Sequence, residues 1–141
     1  MKRRAFLEVA GGAVAVAALP GCASFVATPV TPVNGEVRLA LRNFPRLEQA
    51  GGYLRIRPDG AVTPLYVLNN GAGRFAVLSP ICTHLQCTVN LEGAQLLCPC
   101  HGSTYDREGG VLRGPAMRPL RRYPVELSAE GELVIRLDGA A

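Results

Sequence analysis

Four cysteines and two histidines fall between positions 82 and 101, and those two histidines are the only ones in the chain. They form two short boxes, Cys82-Thr83-His84-Leu85-Gln86-Cys87 and Cys98-Pro99-Cys100-His101-Gly102-Ser103. Thiolate sulfur and imidazole nitrogen are ligands of choice for zinc and for iron–sulfur centres, so metal chemistry is the first expectation. Three arrangements compete. Two disulfides would consume all four cysteines and leave both histidines idle. A tetrahedral zinc ion would take two Cys and two His and leave the other cysteines to pair. An iron–sulfur cluster would be held by two Cys and two His.

Such ligands need a loop to present them and a rigid scaffold to hold the loop. Between Pro80 and Pro119 the strand pattern thins, and the segment is dense in Cys, His, Gly and Pro. A long irregular insertion in a small domain is usually functional, so the chemistry is expected there. On either side, apolar residues recur with period two: Val37, Leu39 and Leu41, then Leu54 and Ile56. Val125 and Leu127 flank Ala129-Glu130-Gly131 together with Leu133, Ile135 and Leu137, as in a terminal hairpin. Pro58-Asp59-Gly60 and Asn69-Asn70-Gly71 mark turns, and no stretch after residue 30 keeps a helical period. The expected fold class is all-β, an antiparallel sandwich or small barrel.

The length of 141 residues fits one domain, and 48% hydrophobic residues with 18% charged ones exclude a mainly disordered chain. Removing Lys2, Arg3, Arg4 and Glu8 leaves 12 cations against 10 anions, a net of +2. That balance, without a basic run interleaved with aromatics, gives no case for a nucleic-acid partner. Residues 1–21 have the layout of an export signal: a charged start, then an uncharged run of Ala, Val, Gly and Leu. The arginine pair followed by Phe6-Leu7 resembles a twin-arginine (Tat) signal, and Leu19-Pro20-Gly21-Cys22 resembles a lipobox. Lipidation of Cys22 would account for the odd fifth cysteine and hold the domain at a membrane. An uncleaved membrane helix and an unmodified Cys22 are the alternatives, and all three imply export. Residues 22–34, uncharged and carrying Pro29 and Pro32, read as a tether, with residues 35–141 as the folded domain.

The two boxes resemble those of Rieske proteins, whose 2Fe-2S cluster has two Cys on one iron and two His on the other. The first box matches at five of six usual positions and the second at all six. The resemblance is to the high-potential, disulfide-containing type, as in the Rieske subunit of cytochrome bc complexes. It implies a Rieske-type sandwich with a loop-rich cluster-binding subdomain over about residues 80–118. It implies that Cys82 and Cys98 ligate one iron, His84 and His101 the other, and that Cys87 and Cys100 form a disulfide. Ser103 and Tyr105 stand where such proteins place hydrogen-bond donors to cluster sulfur. Gly114-Pro115-Ala116 resembles the start of the proline loop covering the cluster. Two positions depart from the pattern: Gln86 replaces a glycine and Met117 a proline, while the segment Thr88–Leu97 is shorter than in mitochondrial relatives. A glycine at position 86 would serve a backbone angle that Gln tolerates poorly.

The function implied is one-electron transfer at the periplasmic membrane face, with no catalytic residue beyond the cluster and its surroundings. Imidazole ligands raise the potential to about −150 to +300 mV, against about −400 mV for plant-type all-cysteine clusters. They also link electron uptake to proton uptake. Two readings follow. One is the iron–sulfur subunit of a quinol-oxidising cytochrome bc type complex, partnered by quinol and a b- or c-type cytochrome. The other is a carrier or small subunit of another periplasmic oxidoreductase, such as arsenite oxidase. A zinc-bound domain is the non-redox alternative. Leu85 would either join an apolar docking tip or fill the core.

Overall fold

A computed structural model of the chain describes residues 26–141; the export signal, its membrane-helix alternative and Cys22 lie outside the described residues. Apart from one short helix, α1 (Pro45–Glu48), and a single 3-10 turn before it, the regular structure of those residues is strand. A five-stranded sheet runs in the order β1 (Thr28–Val30), β3 (Tyr53–Pro58), β4 (Leu65–Asn69), β5 (Phe75–Leu78), β10 (Arg122–Tyr123). A three-stranded sheet joins β11 (Val125–Leu127), β12 (Glu132–Arg136) and β2 (Glu36–Ala40). A four-stranded sheet is built in chain order from β6 (Asn90–Glu92), β7 (Gln95–Leu97), β8 (Thr104–Tyr105) and β9 (Val111–Arg113). The all-β expectation is borne out, and β11–β12 is the terminal hairpin expected, pairing Leu127 with Leu133.

Every residue of β4 and β5 is buried, which requires cover on both faces of their sheet. Side chains alternate along a strand, so each of these strands supplies two cores. Leu65, Val67, Phe75 and Val77 pack with Val37, Leu39, Leu133 and Ile135 of the three-stranded sheet. Tyr66, Leu68, Ala76 and Leu78 face the other way, toward Val89, Leu96, Tyr105, Leu120 and the thiols of Cys82 and Cys98. The chemistry-bearing segment is therefore the second cover of the central sheet, anchored by its own apolar side chains.

One expectation is corrected. The stretch read as a tether enters the fold, because Thr28–Val30 pairs in parallel with Ile56–Pro58 as edge strand β1. Among the described strand pairs it is the only parallel one. The extended backbone that Pro29 favours is present, and an edge position tolerates its missing N–H. Val30 packs against the core, its carbonyl accepts the Asp59 N–H at 3.0 Å, and Thr31 Oγ1 donates to Asp59 Oδ2 at 2.7 Å.

Candidate metal centre

The two boxes fold into loops of one design. In the first, between β5 and β6, the Cys82 N–H donates to the Cys87 carbonyl (2.8 Å) and the Gln86 N–H to the Cys82 carbonyl (3.0 Å). In the second, between β7 and β8, the Cys98 N–H donates to the Ser103 carbonyl (2.8 Å) and the Gly102 N–H to the Cys98 carbonyl (3.0 Å). Each turn closes through a residue in the left-handed region, Gln86 at φ 64° and Gly102 at φ 79°. That is the angle for which a glycine would serve at position 86, and here Gln occupies it with its side chain exposed.

The loops are joined by a disulfide between Cys87 and Cys100. Cys82 and Cys98 remain free thiols, 1% and 2% exposed, in one buried cluster. The rings of His84 and His101 meet edge to face, centroids 4.9 Å apart. His84 Nδ1 is buried with no hydrogen-bond partner, a costly state for an imidazole nitrogen. Among the described residues the sulfurs of Cys87, Cys98 and Cys100 also lie within 4.8 Å of one another, but the disulfide uses two of them.

Burial pushes the Cys98 thiol up, helped by Cys82 beside it, whereas Cys82 ends below the ordinary thiol value. Burial alone would raise Cys82 as well; the Tyr105 hydroxyl, the His84 backbone N–H, Cys98 and Ser103 outweigh it by favouring the thiolate. Tyr105 is fully buried, with its hydroxyl 3.2 Å from Cys82 Sγ. That hydroxyl accepts the Thr83 N–H at 3.1 Å, and Thr83 Oγ1 lies 3.1 Å away but donates to the Arg118 carbonyl at 2.6 Å. Burial and the neighbouring Cys82 raise the Tyr105 pKa, so it keeps its proton as a donor. Ser103 is fully buried and its Oγ accepts the Ala116 N–H at 2.9 Å, which leaves the Ser103 proton to donate.

A third loop, residues 114–121, closes over the boxes. Ala116 is tied to Ser103 and the Arg118 carbonyl to Thr83, so the backbone is pinned on both sides of Met117. Gly114 and Pro115 sit at the surface of this loop, joined by a cis peptide bond. Leu85 is 62% exposed and Met117 93%, so the core-filling role considered for Leu85 is excluded. The sequence reading did not single out Thr83, which links the first box, Tyr105 and the third loop. Its place between Cys82 and His84 was the available signal.

The donor set suits a metal centre with both thiolate and imidazole ligands: two buried thiols, a buried ring nitrogen in want of a partner, and a second imidazole beside it. Comparison with known proteins agrees. Residues 49–124 match the family model described as the Rieske [2Fe-2S] domain. The chain is 31% identical over 142 positions to the cytochrome b6-f complex iron-sulfur subunit of Chlorobaculum tepidum, covering 96% of this chain and 76% of that one. It is 44% identical over 77 residues to the cytochrome b6-f complex iron-sulfur subunit 2 of Nostoc sp., covering 53% of this chain and only 37% of that protein's length. Among solved structures, the cyanobacterial plasma membrane Rieske protein PetC3 from Synechocystis superposes with a TM-score of 0.56 at 31% identity, over 66% of this chain and 93% of that one.

Proposed function

The chain belongs to the Rieske [2Fe-2S] family, and from that premise we propose that Cys82 and Cys98 hold one iron, His84 and His101 the other, in the electron-transfer subunit of a cytochrome bc type complex. The observation that carries the ligand set is the pair of like-folded loops that bring two free buried thiols together with a buried His84 Nδ1 lacking any partner. When bound, the cluster supplies reversible one-electron chemistry at a potential raised by its two neutral imidazole ligands. The protein supplies the rest. Tyr105 and Ser103 aim their protons at the sulfur side, stabilising the negative charge that grows there on reduction. Apolar packing of Leu96, Val89 and Leu120 keeps water from that side. With Nδ1 of His84 turned inward, its Nε2 is the atom left to hold a proton as an electron arrives.

Quinol is the donor this proton-coupled arrangement suits, and a b- or c-type cytochrome the acceptor, by similarity to the iron-sulfur subunits above. Among the described residues no helix is long and apolar enough to cross a membrane. We place anchoring in residues 1–22, through a lipid on Cys22 or a retained helix, with the domain at the periplasmic face. The test is EPR of the dithionite-reduced protein, with iron and acid-labile sulfide assayed on the same sample. A rhombic Rieske-type signal with equal iron and sulfide is expected; zinc alone would overturn the reading. Loss of quinol-dependent cytochrome reduction in membranes from a deletion strain separates the bc-type role from a carrier serving another oxidoreductase, which would leave it intact.

A further inference from the structure

Beside His84 a recess of about 430 Å³ opens between the first box and the third loop, lined by Cys82, Thr83, His84, Gln86, Arg118 and Arg121 among others. No Asp or Glu lines it. Both arginines are exposed, and neither belongs to any ion pair among the described residues. Arg118 is pinned at its backbone and Arg121 at its side chain. The Arg118 carbonyl accepts the Thr83 hydroxyl, and the Arg121 guanidinium stacks on Tyr123, its central carbon 5.4 Å from the ring centroid. Stacking orients a guanidinium without neutralising it and leaves its N–H groups to take a carboxylate.

Two carboxylates of the same subdomain, those of Asp106 and Glu108, are engaged elsewhere. Asp106 accepts the N–H groups of Glu108 and Gly110, and Glu108 is taken by Arg122 and Asn70. On the two loops that flank the recess, Leu85 follows the lining residue His84 and Met117 precedes the lining residue Arg118, and both are exposed. Arg and Met with an exposed apolar side chain are the composition of a protein-docking patch. We propose that this recess is the docking site for a redox partner protein with an acidic face, whose Asp or Glu carboxylates engage Arg118 and Arg121 while apolar residues meet Leu85 and Met117. A lipid headgroup fits less well, because seated beside His84 it would cover the route by which electrons enter and leave. The proposal rests on the cluster assignment above and names the partner class for that site.

The test uses the full, cluster-loaded chain in detergent, reduced and then mixed by stopped flow with hexacyanoferrate(III), an anionic one-electron oxidant that becomes hexacyanoferrate(II). Tris(phenanthroline)cobalt(III), a cation, serves as the counter-probe. The R118Q/R121Q variant is expected to slow the anionic oxidant about three- to tenfold at low salt, with the difference shrinking at 0.5 M NaCl, and to leave the cationic one unslowed. R57Q, on the distant strand β3, is expected to change neither rate. Poly-L-glutamate should slow the anionic reaction of the unmodified protein and not that of R118Q/R121Q. Equal rates in all variants, with the EPR signal intact, would overturn the proposal and leave the cluster assignment standing. Protection by phosphatidylglycerol vesicles but not by poly-L-glutamate would overturn it in favour of a lipid surface. Absence of the EPR signal in the unmodified protein would instead remove the reading beneath it.

Discussion

Tyr105 has one proton, and the hydrogen bonds around it decide where that proton goes. The Thr83 N–H is already donated to its oxygen, and the Thr83 hydroxyl proton is committed to the Arg118 carbonyl. The choice left is Thr83 Oγ1 or Cys82 Sγ, and a thiolate ligand carries the greater negative charge. Tyr105→Phe is therefore expected to lower the reduction potential while keeping the cluster. A hydrogen bond to a charged group contributes on the order of 1.5 kcal/mol, or roughly 60 mV for one electron. Ser103→Ala should act in the same direction by removing a second donor, and would also free the Ala116 N–H. Protein-film voltammetry of the two variants checks both; unchanged potentials would show that neither proton reaches sulfur. The residue types in the boxes were legible as metal ligands because ligand chemistry belongs to single side chains. The role of Thr83 was not, because it depends on a carbonyl 35 positions away.

Each box loop closes with the same pair of backbone hydrogen bonds, so the fifth position of each must take a positive φ. Gly102 does so freely, whereas Gln86 does so at a cost of about 1 kcal/mol. Gln86→Gly is expected to raise the free energy of unfolding by about that amount, read from the urea midpoint at constant slope. The disulfide then holds the loops against each other across a separation of 13 residues. Replacing Cys87 and Cys100 together with Ala should lower stability by about 3 kcal/mol, the entropy of closing a loop of that size. Urea unfolding followed by circular dichroism measures it, and a change below 1 kcal/mol would mean that packing alone joins the loops. At this scale the sequence showed an irregular segment rich in Gly and Pro. That its two turns share one geometry emerged from hydrogen bonds between residues four and five apart.

The described residues form three layers about a central sheet, and Arg107, like Arg122 of β10 through Glu108, fastens the metal-bearing layer to that sheet. Arg107 donates from Nε to Asn70 Oδ1 (3.0 Å) and from Nη2 to the Gly52 carbonyl (3.0 Å), while Asn70 Nδ2 returns to the Arg107 carbonyl (3.2 Å) and Glu108 Oε1 (2.7 Å). Burial lowers the Arg107 pKa, yet a guanidinium stays charged, so its acceptors keep a charged donor at every working pH. Arg107→Ala is expected to cost about 2 kcal/mol in urea unfolding, because Asn70 and the carbonyls of Gly52 and Asn69 lose that donor, with the EPR signature of the centre retained. Loss of the signature would mean that the fastening also shapes the site. By itself the sequence determined the β class, the place of the chemistry between Pro80 and Pro119 and the ligand types there. Strand alternation, turn residues and donor atoms are local properties that survive without coordinates. The family resemblance implied the Cys87–Cys100 pair, which is borne out, but tertiary structure alone decided that β4 and β5 serve two cores and that Thr28–Val30 joins the sheet. Those outcomes depend on which distant segments pack together, and period-two patterning shows that a face is buried without showing what buries it.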